Sequence, residues 1–161
     1  FPGLTVSLSS FEFCRMDKIK RLLNNIVIVN VKPMKEQSHI SDNIVQIENI
    51  LRKYLDLLYN GDTNLIETVF LPAATVNSLT DGKIVSIDMV GFRERIAGRQ
   101  SPKSIGEKRE DKIIMIDISS PTTAMAKVEC MILKQRYIDY LSLIKFSGKW
   151  GIISKVFHIS P

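Results

Sequence analysis

The stretch Arg136-Tyr-Ile-Asp-Tyr-Leu-Ser-Leu-Ile-Lys-Phe-Ser-Gly-Lys-Trp-Gly-Ile-Ile-Ser-Lys-Val-Phe-His158 decides how this chain folds. Apolar residues run through it with a period of two, which argues two paired strands. Ser147-Gly148 separates the two runs as a two-residue turn. That turn pairs Phe146 with Lys149, and each step outward keeps the register. Tyr137, Asp139, Leu141 and Leu143 then share a face with Trp150, Ile152, Ser154, Val156 and His158. Tyr137 stands opposite His158, and Asp139 is diagonal to it. The other face holds Ile138, Tyr140, Ile144, Ile153, Lys155 and Phe157, too apolar for open solvent and suited to a covered surface. A bulged turn would shift the pairing by one and break this set.

Upstream, Ile113–Ile118 and Ala124–Lys134 repeat the strand period, joined through Ser119-Ser120-Pro121-Thr122, with a tight link near Gln135. Before them the period is helical. Ile44, Ile47, Leu51, Tyr54, Leu55 and Leu58 follow Ser41-Asp42, a candidate N-cap, and Gly61 ends the helix near Asn60. Asp62 caps a second helix over Thr63–Phe70, stopped by Pro72. Thr80-Asp81-Gly82-Lys83 is a hairpin signal, and a third helix opens at Ser86-Ile87-Asp88-Met89 and closes at Gly98. Residues 99–111 read as a polar loop of mixed charge. Helices followed by a meandering antiparallel sheet give an α+β class. There is no βαβ alternation, phosphate loop, nucleophile elbow or internal repeat.

The 161 residues are 45% hydrophobic and 24% charged, which excludes a disordered, collagenous or disulfide-scaffold chain. The net charge of +5 is unevenly placed. Residues 1–39 hold six basic against three acidic residues, so the rest carries only +2. A nucleic-acid binder concentrates its charge on a folded face, so no nucleic-acid partner is expected. Cys14 and Cys130 form no CxxC pair and no metal spacing, and Cys130 reads as a buried thiol in a strand. No metal is expected, and the reading is of a reduced, cytoplasmic protein. The run from Met16 to Val31 imitates a signal peptide, but Asn24-Asn25 and Asn30 interrupt it and Lys32-Pro33 follows in place of a cleavage site. It is also shorter than the roughly 20 apolar residues of a span, so no membrane partner is expected. Residues 1–39 are read as a poorly ordered extension, tag or over-called start, and 40–161 as the domain.

Tyr59-Asn-Gly-Asp-Thr-Asn-Leu-Ile-Glu-Thr-Val-Phe70, Asp81-Gly-Lys and above all the Arg136–His158 segment resemble the nuclear transport factor 2-like superfamily. The likeness is to its putative lumazine-binding branch, a neighbour of the SnoaL-like proteins, and it covers about residues 40–161. It implies a curved sheet wrapped around helices as a cone-like, cystatin-like roll, an internal pocket and a homodimer formed through the sheet. It brings no cofactor, and none is expected.

Asp139 is the first candidate, because an acid in an apolar strand needs a partner. It is either a hydrogen-bonded structural carboxylate or a pocket acid whose pKa is raised by burial. His158 is either a rim residue or an oriented proton carrier paired with Asp139. Tyr54 lies on the apolar stripe of the first helix; with Asp139 it matches, in type, the tyrosine and sheet acid of ketosteroid isomerase oxyanion holes. The catalytic candidates are thus Asp139, His158 and Tyr54. The pocket candidates are Phe70, Phe92, Tyr137, Leu141, Trp150 and Ser154. Lys155 and Arg93 read as solvent or rim charges. Three functions remain open: a small-molecule binder with a partly apolar pocket, a cofactor-free isomerase, dehydratase or cyclase using a pocket acid, and a dimeric scaffold.

Overall fold

Ile47, Leu51, Tyr54, Leu55 and Leu58 recur at helical spacing, and all five are buried on one face of helix α1, Met34–Asn60. The computed structural model describes residues 34–160, with side-chain surroundings from Asp42 onward. Expectations for residues 1–33 lie outside the described residues. Helix α1 starts ahead of Ser41-Asp42, so these two residues are helical and do not cap it. The sequence from Met34 is made of good helix formers, and nothing in Lys35-Glu36-Gln37 stops propagation. Gly61 closes the helix as expected, with φ +69° and its N–H on the Leu57 carbonyl at 2.9 Å.

Asp62 caps a 3-10 turn over Thr63–Leu65, which runs into the single-turn helix α2, Ile66–Val69. The second helix therefore ends earlier than the sequence suggests. Phe70 already opens strand β1, Phe70–Thr80, and Pro72 lies inside that strand. Proline cannot donate to a ladder, and the pairing of β1 is interrupted between Phe70 and Thr75 around it. Asp81-Gly82 turn β1 into β2, Lys83–Ile87, with φ +50° and +73°. Helix α3, Met89–Ala97, is capped by Asp88, whose carboxylate accepts the Gly91 N–H.

Four long strands follow: β3 (Asp111–Ser120), β4 (Thr123–Ile132), β5 (Gln135–Phe146) and β6 (Lys149–Ser160). The six strands form one curled, unclosed sheet in the order β2-β1-β6-β5-β4-β3. All neighbours are antiparallel except β1 and β6, which run parallel. On the inner face of the sheet, Ala126, Val128, Leu141, Leu143 and Ile152 share one core cluster with the buried residues of α1 and α3. Among the described residues, no helix is long and apolar enough to cross a membrane.

Two joints fix the sheet. The β4–β5 turn is Leu133-Lys134, with φ +52° and +64° at residues that ordinarily avoid that region. The Glu107 carboxylate, from the polar segment after α3, accepts both turn N–H groups at 2.7 and 2.6 Å. The β5–β6 turn is Ser147-Gly148, as the sequence indicates, at φ +49° and +78°. Its register holds from Phe146↔Lys149 to Leu143↔Ile152, and then breaks. Ser142 pairs with Ser154, so Ile153 is an inserted residue and every later pair shifts by one.

Gly151 sits just before that bulge, where Leu71 of the irregular part of β1 lies against it. A Cβ at 151 would stand 2.8 Å from Leu71 Cγ and Cδ2. Gly151→Ala should therefore destabilise the domain by about 1–3 kcal/mol in urea unfolding, an overpacking cost. Adding Leu71→Ala should recover most of the loss; a Gly151→Ala chain as stable as wild type would refute the constraint.

Candidate functional site

Three polar side chains meet under the concave face. Tyr54 reaches down from the buried stripe of α1, Asp139 up from β5 and Lys155 from β6. The Tyr54 hydroxyl donates to Asp139 Oδ2 at 2.6 Å, and Lys155 Nζ donates to the Tyr54 oxygen at 2.5 Å. Lys155 Nζ also lies 3.0 Å from Asp139 Oδ2. Tyr54 and Asp139 are wholly buried and Lys155 is 3% exposed. Burial, and then the Asp139 charge, holds the Tyr54 hydroxyl well above its usual pKa, so it acts as a donor. The ammonium also lies over two aromatic rings, 4.9 Å from the Phe157 centroid and 5.2 Å from that of Tyr54.

The neighbourhood of this triad is apolar. Asp139 stands between Val128 on β4 and Phe157 on β6. Cys130, two residues along β4, has its thiol pushed up to about 12 by burial and by the Asp139 charge. Asp139 Oδ1 is buried with no hydrogen-bond partner among the described residues. In such surroundings, desolvating the ion pair costs about as much as its attraction returns, so the pair orients more than it stabilises.

The bulge at Ile153 changes which residues join the site. His158 stands opposite Ile138 and is exposed, so the expected Asp139–His158 pairing does not form. Ser154 pairs with Ser142, which is exposed on the outer face, and Val156 is 51% exposed. Lys155 and Phe157 take the inward places instead, opposite Leu141 and Asp139. Lys155 reads from sequence as a rim charge because an uninterrupted register turns it outward. The one signal of the shift is Gly151, since a glycine inside a strand marks a bulge or a close backbone approach.

A cavity of about 340 Å³ opens beside Lys155. Its apolar wall includes Leu58, Val76, Phe92, Ile96, Ile132 and Phe157, and its polar groups are Thr80, Arg95, Arg99, Tyr137 and Lys155. Of the expected pocket residues, Phe92 and Tyr137 line it. Leu141 is wholly buried in the core, because it faces Lys155 beneath the helix. Phe70 is also core, bridging Tyr54 and Phe92 edge to face with ring centroids 5.8 and 5.4 Å away. Trp150 is buried and donates its indole N–H to Asn43 Oδ1, within α1, at 3.1 Å. Of the triad, Lys155 alone reaches the cavity wall; Tyr54 and Asp139 stand behind it. Among the described residues, no three of His, Cys, Asp and Glu converge.

The sequence model of the putative lumazine-binding family matches residues 42–158, and the chain belongs to that family. Aldolase FrzH of a Cladobotryum species is 28% identical over 110 residues, covering 67% of this chain and 84% of the aldolase. A nuclear transport factor 2-like protein of unknown function from Shewanella baltica is 25% identical at a TM-score of 0.65, covering 82% of this chain and 99% of that one. One from Silicibacter pomeroyi is 21% identical at a TM-score of 0.68, covering 75% of this chain and 98% of that one. The nuclear transport factor 2-like α+β roll expected from the sequence is therefore the fold of this chain.

The buried pair gives a double-mutant test. Lys155→Met alone leaves the Asp139 charge unpaired and should cost about 3–5 kcal/mol in urea unfolding. Lys155→Met with Asp139→Leu should cost far less than the two single losses added, with a coupling of about 2–3 kcal/mol. Additive losses would show that the two charges do not depend on each other.

Proposed function

We propose that this member of the putative lumazine-binding family binds a small, largely apolar molecule in the cavity beside Lys155. The supporting observation is the cavity's construction. A cavity of about 340 Å³ with a largely apolar wall ends on a single buried ammonium that Asp139 and Tyr54 hold in place. That is the usual make-up of a ligand site: much apolar surface and a few oriented polar groups. The ligand's polar end is an oxygen acceptor, because Lys155 can only donate.

A second reading makes the same site catalytic. Lys155 Nζ would donate to a carbonyl oxygen as negative charge grows on it, with Tyr54 and Asp139 fixing the ammonium from behind. The aldolase name of the 28% identical relative favours a carbonyl-bearing ligand. Asp139 does not line the cavity, and among the described residues the wall carries neither a carboxylate nor an imidazole to take a proton. Binding therefore ranks ahead of proton-transfer catalysis.

A homodimer formed through the sheet is also proposed. The outer face exposes Met115, Met125, Tyr140, Ile144 and Val156, more apolar surface than single scattered residues would give.

Two measurements bear on these readings. Ile159 is 38% exposed on the cavity wall, so Ile159→Trp should block the cavity with little strain on the core. In calorimetric titration with 2-acetylnaphthalene, wild type should bind and Ile159→Trp should lose at least about tenfold, the value of roughly 1.4 kcal/mol of lost contact. Unchanged affinity would place the ligand elsewhere. For the dimer, light scattering should give two chains per particle for wild type and one for Val156→Glu; a monomeric wild type at tens of micromolar would end that proposal.

A further inference from the structure

The three cations on the cavity wall are not equivalent. Lys155 is neutralised by Asp139. Arg95, in the last turn of α3, is exposed. Arg99, just past the end of that helix, is half-buried. Its Nη2 donates to the Leu58 carbonyl at 3.0 Å, near the end of α1. Its Nη1 is buried and has no hydrogen-bond partner among the described residues. No carboxylate among them pairs with Arg99, and no Asp or Glu lines the cavity. Burial holds the Arg99 guanidinium below its usual pKa, although the Glu107 carboxylate, which is hydrogen-bonded to the Leu133 and Lys134 N–H groups, opposes that shift from a distance.

An unpartnered charged donor is costly in a half-buried wall, and most such donors find an acceptor. The Arg99 guanidinium is tethered through Nη2, which fixes its place on the cavity wall. Arg95 adds positive field from the same wall. Acceptors on that wall are the hydroxyls of Thr80 and Tyr137, and neither is charged. A charged acceptor for the Arg99 guanidinium would therefore have to come with a ligand.

We infer that Arg99, supported by Arg95, selects ligands that carry a carboxylate on an apolar body, with the body against Phe92, Ile96 and Phe157. This rests on the binding reading above and adds the ligand's charge. The acid would sit at Arg99, and any second oxygen acceptor would reach Lys155.

The test is a charge series on one apolar body: 2-naphthoate, 2-naphthalenemethanol and 2-naphthylmethylammonium, titrated calorimetrically into the full chain. Wild type should bind the carboxylate about ten- to a hundredfold more tightly than the alcohol, the range expected for a charge-assisted hydrogen bond, and the ammonium weakest. Arg99→Met should bring the carboxylate down to the level of the alcohol while leaving alcohol binding unchanged. Arg99→Lys should keep part of the preference. Should Arg99→Met not fold, the wild-type series alone decides. Equal affinity for acid and alcohol would overturn the charge selection and leave the cavity as a binding site. A preference that survives Arg99→Met would overturn the assignment to Arg99. Binding of none of the three would overturn both readings.

Discussion

Lys155 and Asp139 form an ion pair that is almost wholly buried. Two ions leave water at a cost of several kcal/mol each, and only close geometry with further hydrogen bonds returns it. That demand sets terms for the surrounding elements. Helix α1 must bring Tyr54 over the pair, because its hydroxyl accepts from the lysine and donates to the carboxylate. Strand β6 must turn Lys155 inward, which an uninterrupted ladder from the Ser147-Gly148 turn would not do. The inserted Ile153 provides that rotation, and Gly151 next to it leaves room for Leu71.

The cavity follows from the same arrangement. Side chains from α1 fill the concave face around Leu51, Leu57 and Ile47, but Leu58 is already at the cavity wall and Gly61 ends the helix. Beyond that point the sheet still curves, and α3 covers it only through Phe92 and Ile96. The far rim is the Leu133-Lys134 turn, in a backbone conformation that the Glu107 carboxylate holds by accepting both N–H groups. Tyr59 donates its hydroxyl to the Glu107 carbonyl, so the same segment that fixes the rim is tied to the end of α1. The polar 99–111 stretch, a plain solvated loop by composition, is thus a structural brace on the cavity mouth.

The fold was legible because its signals are local. Gly61, Asp81-Gly82, Asp88 and Ser147-Gly148 each act within a few residues, and the switch from helical to strand period marks where the sheet begins. The site was half legible. Tyr54 and Asp139 stood out because a polar group in an apolar pattern needs a partner, and each proves to be the other's. Their third member was hidden. Whether Lys155 or His158 faces Asp139 turns on one inserted residue, and the need for that residue arises from packing between β1 and β6, far apart in the chain. Alternation has no memory of such contacts: a slip of one reverses every side chain beyond it. Arg99 was hidden for another reason. Nothing in the sequence says that a loop arginine past Gly98 returns to the Leu58 carbonyl, or that it lacks a carboxylate when it arrives.

The polar groups now fall into two sets with different work. Tyr54, Asp139 and Lys155 hold one another through the Tyr54 oxygen and Asp139 Oδ2, so removing any one should injure the fold. They suit a fixed end of a site, where the protein tolerates no change of charge. Arg99 and Arg95 satisfy nothing of comparable charge and lie nearer the mouth. A wall that carries two guanidiniums, with no Asp or Glu among its lining residues, holds a positive potential that a low-dielectric surface strengthens. Water at the mouth screens Arg95, which is exposed, more than it screens the half-buried Arg99. The charge still to be balanced on the wall is therefore that of Arg99 more than that of Arg95. Shape alone would make the site accept many apolar molecules; the unpaired guanidinium makes it discriminate among them by charge.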